Sequence, residues 1–454
     1  MAGLNSILEI GRRSLSTSQY GLGVTSHNIS NASTPGYSRQ RLNVAPSASE
    51  KTSYGYLGTG INIQSIQRLR SGYIDQQIYT VNQNMGRAGQ RENILRLTES
   101  FLQEPSESGL GATMSQFFAS FQDLSLHPEE SANRNAVVQK ASLMVGTFRR
   151  ITDSIDSLKK DVLKEAESKV DRINALVSSI AGLDQTIMSA SASGSSPNDV
   201  RDQRDLQVAE LSKIADIRVM EGVNGSVNVS IAGNMILSGG NSSSINASMN
   251  GAEMELHLSG IPQKLNVTGG ELGALMTLQN STLNSYVAKL DEAASAIITN
   301  VNAIHQTGYG IGTPPPTGLD FFTGTDARSI GVNSVISGNI NNVATSGDGS
   351  PGDNSIALQI ANIQNAQILN GNTVSIGQFY NGFVSSLGTD IQSAATENSS
   401  TMLVMEQLTT QQNSVAGVSI DEEMTNLIKY QHGFDAAARV INTVNDMFKT
   451  IINM

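Results

Sequence analysis

The sequence predicts a mainly α chain with a small inserted β domain, built from nested discontinuous domains, with N- and C-terminal helices pairing as a coiled coil. Three observations predict it. Apolar residues recur every seven positions at both chain ends. Long patterns with 3-4 apolar spacing fill most of the chain between them. One stretch near the middle, Ala215 to Leu265, changes to short alternating runs separated by Asn-Gly and Gly-Gly pairs.

The C-terminal element organises the rest. Ser419 can cap a helix, and Glu422 lies three residues on, where it can reach back as a capping box. Asp421, Glu422 and Glu423 suit the positive end of the helix dipole. No proline follows, so about 33 helical residues at 1.5 Å each predict a rod of roughly 50 Å. Ile420, Leu427, Phe434, Ile441 and Phe448 form one apolar series. Ala437, Val440, Val444, Met447, Ile451 and Met454 form a second on an adjoining face. One seam makes a two-helix coiled coil. Two seams call for neighbours on two sides, which a chain terminus cannot supply by itself.

At the other end, Leu8, Leu15, Leu22 and Ile29 mark a narrow helical seam over residues 4–31, weakened by Gly11, Gly21 and Gly23. Residues 1–41 hold four arginines against one glutamate, whereas residues 418–454 hold three basic residues against five acids. Matching heptads and opposite charge predict that the two ends pair. Pro35 and Gly36 suit the central positions of a type II turn. A short strand follows at Ile61–Ile66. Helices are expected over Ser71–Leu102, Leu110–Leu126, Glu129 to about Ala192, and from Pro197 to near Lys213. After the hairpins, a long helix should run from Gly269 to about His305. A Gly/Pro/Asn-rich stretch reaches Pro351, and helices resume at Ile356 and over Val374–Thr410.

Composition excludes several functions. Net charge is −11 with no basic run, which argues against nucleic-acid binding. There is no cysteine, hence no disulfide or thiolate metal site. No apolar stretch approaches the length of a membrane span, so no membrane insertion is expected. Arg12 and Arg13 lead into Ser-Leu-Ser-Thr-Ser-Gln-Tyr, which lacks the apolar core of a secretory signal, so any export should use an uncleaved segment. The five histidines are scattered. Asp199, Asp202 and Asp205 interleave with Arg201 and Arg204 and read as helix-start capping and ion pairing. No enzyme activity, cofactor or metal is expected.

The segment Asn28-Ile29-Ser30-Asn31-Ala32-Ser33-Thr34-Pro35-Gly36-Tyr37-Ser38-Arg39-Gln40 resembles the N-terminal signature of the bacterial flagellar axial (rod and hook) superfamily. Gly417-Val418-Ser419-Ile420-Asp421-Glu422-Glu423-Met424, with Ala436 to Ile441, resembles its C-terminal signature. The form of the first motif, together with Asn198-Asp199-Val200-Arg201-Asp202-Gln203-Arg204-Asp205, is similar to the hook-associated family at the hook–filament junction (the FlgK family). A departure is His432-Gly433-Phe434, where Gly433 costs roughly 1 kcal/mol relative to Ala and predicts local flexibility.

The resemblance implies a structural subunit of the bacterial flagellum. It would be transiently cytoplasmic, exported by the flagellar type III apparatus, and assembled extracellularly as a ring in a helical tube. Its partners would be copies of itself, the hook protein, the second hook–filament junction protein and an export chaperone on the C-terminal helix. The terminal helices would line the tube and the β insertion would face outward. Another axial subunit of hook or rod, or a surface adhesin on a helical stalk, are the alternatives.

The expected domains are 1–40 with 415–454 for assembly, 41–213 with 270–414 for an elongated helical body with some β, and 214–269 for a β-hairpin insertion. The family motif contributes Asn28, Asn31, Thr34, Pro35, Gly36 and Tyr37. Leu8, Leu15, Leu22 and Ile29 are expected to pair with Leu427, Phe434, Ile441 and Phe448. Val440, Val444, Met447 and Ile451 are expected to meet a neighbouring subunit or the chaperone.

Overall fold

The structure, a computed structural model, describes residues 2–53, 55–251 and 253–453; Met454, the last of the second apolar series, lies outside them. The chain begins with α1 (Ala2–Ser30) and ends with α11 (Ile420–Ile452), the 33-residue helix that the spacing predicts. After α1, Gly36 takes φ +78 and the Tyr37 amide donates to the Thr34 carbonyl, the geometry of a type II turn.

β1 (Gln40–Pro46) pairs antiparallel with β4 (Ile61–Arg68), from Gln40 opposite Arg68 to Pro46 opposite Ile61, with a bulge at Asn43/Val44. β2 (Glu50–Thr52) and β3 (Gly55–Leu57) form a small hairpin between them. The alternation at Ile61–Ile66 identified one strand of this ribbon. Its partner carries Arg41, Asn43 and Pro46 and lacks the pattern.

The body is built on α4 (Ser131–Ala192), 62 residues and therefore about 90 Å long. Val137, Ala141, Met144, Phe148, Ile151, Ile155, Leu158, Val162, Ala166, Val170, Ile173, Val177 and Ile180 form one buried stripe along it. α3 (Leu110–Leu126) lies against its N-terminal part. There Phe117 meets Phe321 and Phe322, and Phe121 meets Phe321, with ring centroids 5.4–5.9 Å apart. α2 (Gly72–Leu102) runs antiparallel to α10 (Ile376–Ala416), tied by Arg91–Asp390 at 2.8 Å and Gln412–Asp75 at 3.0 Å. α5 (Asn198–Ile214) follows α4.

Seven strands come next: β5 (Ile217–Glu221), β6 (Val227–Ile231), β7 (Asn234–Ser238) and β8 (Asn241–Ser242) in one antiparallel sheet, and β9 (Ile245–Asn250), β10 (Glu253–Leu258) and β11 (Lys264–Leu265) in another. These sheets pack along the C-terminal half of α4. The Asn174 amide both donates to and accepts from the Ile245 backbone, and Gln185 donates to the Gly240 carbonyl. Val229, Ile231, Ile236, Leu237, Met254 and Leu256 belong to the same continuous apolar core as α4. The β segment thus shares the core of the body.

The helix expected to run unbroken to His305 is divided into α6 (Gly270–Thr277), a π turn (Leu278–Thr282) and α7 (Leu283–His305). Asn280 explains the extra residue in the turn, because its side chain bonds both the amide and the carbonyl of Met254 in β10. β12 (Phe322–Thr323), β13 (Gly331–Val332), α8 (Ser334–Gly338) and α9 (Ser355–Asn362) cap the far end. Arg134 is buried there, donating to the Pro128 and Val343 carbonyls and to Thr345 Oγ1.

Candidate assembly interface

The helices α1 and α11 pair antiparallel. A side chain at Gly11 would meet Ile441 and Val440, one at Gly433 would meet Ser18 Oγ at 2.9 Å, and one at Gly21 would meet the Tyr430 ring at 2.5 Å. Asn28 bonds to Glu423. The centre of the contact on α1 is made of small or polar residues: Gly11, Thr17, Ser18, Gly21, Thr25 and Asn28 are buried. Gly11 and Gly21, which propensity alone counts as weak points, are where the two backbones approach closely. Gly433 serves the same purpose on the other helix, which stays continuous through it.

Leu8, Leu15, Leu22 and Ile29 are half-buried, as are Leu427, Phe434, Ile441 and Phe448. These apolar rows flank the close-packed stripe. On α11 the buried residues are Glu423, Ala437 and Val444, with Tyr430 between them half-buried. Val444 was expected on the outward series, yet it is 3% exposed inside the pairing. Small residues on α1 let α11 come close enough to enclose the row 423–430–437–444. Val440, Met447 and Ile451 remain 42%, 48% and 47% exposed on the chain's surface.

The base of the pair is polar. The Asn28 amide donates to the Gln40 carbonyl at 2.9 Å and to Glu423 Oε2 at 3.1 Å. Its Oδ1 accepts from the Gln40 amide at 2.9 Å and from the Tyr37 hydroxyl at 2.7 Å. Burial first, then the charges of Asp199, Asp202 and Glu423, push the Tyr37 phenol above its ordinary pKa, so it stays a donor. Asn31 bonds back to the His27 carbonyl and receives Thr34 Oγ1, which closes the turn around Pro35 and Gly36.

Arg39 donates to Glu423 and Glu422, both at 2.7 Å, and its amide bonds the Ala416 carbonyl. The expected capping box is therefore only half made. Ser419 Oγ accepts from the Glu422 amide, while the Glu422 carboxylate faces Arg39. Arg12 pairs with Glu9, and Arg13 bonds Asn62 and Ser47. Of the ion pairs among the described residues, those joining the two chain ends are made by Arg39, so overall end charge is a poor guide to what aligns these helices.

The same root is fastened to the body through α5. The Ser38 amide and hydroxyl donate to Asp202 at 2.9 and 2.8 Å, and Gln40 Nε2 donates to Asp199 at 2.7 Å. Asp202 and Asp205 receive Arg68 at 2.9 and 2.6 Å. Arg70 bridges Asp75 and Asp205, and Arg204 bridges Asp205 and Asp184. Burial works against ionising Asp205, but Arg70, Arg204 and Arg68 outweigh it and hold the carboxyl below its usual range. The aspartates of α5 do form ion pairs, though mainly with arginines from the β4–α2 connection rather than with the interleaved ones. Sequence spacing could not find Arg68, Arg70 or Asp184, because only the folded chain brings them together.

Among the described residues, no group of three or more histidines and acids is placed to hold a metal ion, and no helix is long and apolar enough to cross a membrane.

Residues 95–322 match the flagellar hook-associated protein FlgK helical domain, and residues 411–454 match the flagellar basal body rod FlgEFG protein C-terminal family. The chain is similar to flagellar hook-associated protein 1 of Bacillus subtilis, with 28% identity covering 98% of this chain and 97% of the relative. The protein of the same name from Salmonella typhimurium is 26% identical, with 99% and 100% covered. Among solved structures, the flagellar hook junction protein FlgK from Burkholderia pseudomallei aligns with a TM-score of 0.65 at 14% identity, covering 75% of this chain and all of that one, which speaks to the fold.

Proposed function

Since the chain belongs to the flagellar hook-associated protein FlgK family, a family of structural flagellar proteins, we propose that it forms the junction ring between hook and filament and is needed for filament assembly. The observation that carries this reading is the free flank of α11. Val440, Met447 and Ile451 stay about half exposed on a helix whose other face is already occupied by α1. An apolar row left open beside a completed helix pair fits a subunit that finishes its packing against neighbours. Copies of itself, the hook protein and the second junction protein are the partners on the assembled tube. An export chaperone covers the same row on α11 beforehand, when the chain is cytoplasmic and awaiting the type III apparatus.

Loss of the gene should leave complete hooks without filaments; failure of the hook itself would assign the chain to hook or rod instead. A chaperone pull-down should succeed with the full chain and fail without residues 418–454.

A further inference from the structure

Beside the root of the terminal helices lies a cavity of about 500 Å³, between the β1–β4 ribbon, the start of α2, α5 and the β5–β6 hairpin. Arg68, Arg70, Arg201 and Arg204 all line it. Three of these are committed to Asp75, Asp184, Asp202 and Asp205. Arg201 is different. Its polar contact is a long 3.3 Å bond from Nη2 to Ser191 Oγ, and its Nε is buried without a partner. Among the described residues it takes part in no ion pair, and the nearby acid that remains, Glu221, is exposed at the edge of the cavity.

Burial first, then the like charges of Arg68 and Arg204, bear against its protonated form. The side chain is also held in place, since the left-handed turn at Gly225 closes on it and a Cβ there would run into Nη2. A fixed guanidinium with an idle donor, next to two further guanidiniums, is a fork suited to an oxyanion. The chain as a whole carries −11, so such affinity would be local to this cavity.

We propose that this cavity binds a small phosphate-class oxyanion, seated by the part of the Arg201 guanidinium that lines the cavity, with Arg68 alongside. The bound anion supplies the direct ion-pair partner that Arg201 lacks, adding to the more distant Glu221 and Asp205, and ties α5 to the β5–β6 hairpin.

The test is calorimetric titration of inorganic phosphate into the full-length chain at constant ionic strength, balanced with chloride. One saturable site is expected, weakened at least about tenfold by Arg201→Gln and unchanged by Arg172→Gln, whose exposed side chain pairs with Glu210 elsewhere. Arg201→Gln should keep the wild-type melting curve in chloride. Should it fail to fold, wild-type amide shifts decide: phosphate must move signals around residues 196–204 and 223–227. Absence of saturable binding, equal binding by Arg201→Gln, or shifts confined to other regions would overturn the proposal.

Discussion

Asn28 is the residue whose surroundings explain most of the N-terminal motif. It serves the Gln40 backbone, the Tyr37 hydroxyl and the Glu423 carboxylate together, and no other side chain offers two N–H donors and a separate two-lone-pair acceptor on so short a stem. Asn28→Ala leaves three buried groups short of a bond at roughly 1–3 kcal/mol each. A loss of about 3 kcal/mol or more is expected, read as faster amide exchange along α11. An exchange profile like wild type would contradict this. Glycines divide by what they face. At Gly21 the Tyr430 ring stands 2.5 Å from any added Cβ, whereas at Gly23 nothing lies within 4 Å. Ala favours a helix over Gly by about 1 kcal/mol, but overpacking costs roughly 1–3 kcal/mol. Gly21→Ala should therefore lower the melting temperature and Gly23→Ala raise it. The opposite order would refute the close-packed geometry.

At the scale of elements, the α5 network fastens the terminal pair to the body, and its pH dependence follows from Asp205. An unfolded aspartate titrates near about 3.9, and the folded one titrates lower because Arg70, Arg204 and Arg68 overcome its burial. The stability it contributes is present above about pH 4 and is lost as pH falls below that value. Asp205→Asn breaks a buried pair and should cost about 3–5 kcal/mol at pH 6. The gap from wild type should narrow below pH 4 in denaturant melts. A constant gap would mean Asp205 does not carry the effect. Helices such as α3 and α11 were legible because their apolar periodicity agrees with their burial over many turns. β1 was not, since its burial depends on β4, whose paired residues run from Ile61 opposite Pro46 to Arg68 opposite Gln40, and the π turn was not, since Asn280 answers to β10 rather than to its own helix. On α1 the leucine row drew attention to itself, while the closest contact belongs to Gly11, Ser18, Gly21 and Asn28, small residues that periodicity of apolar side chains passes over.

For the whole molecule, one apolar core runs from the far cap through α4 to the β sheets, while the terminal pair stands outside it. On α11 only Glu423, Ala437 and Val444 are buried, so little apolar area holds α1 and α11 together in a single chain. Hydrogen exchange of the monomer should be faster over residues 2–30 and 420–452 than along α4; equal protection would argue that the pair is complete without neighbours. The same geometry separates two substitutions one turn apart. Val444→Asp puts a charge into the pairing at a cost of several kcal/mol, whereas Met447→Asp sits on the half-exposed flank and should leave monomer stability within about 0.5 kcal/mol. The most direct test is filament growth in cells whose copy of this chain carries Met447→Asp. The proposed junction role predicts complete hooks without filaments, from a protein that melts like wild type. Filaments of normal number and length would show that the open flank of α11 is not an assembly surface.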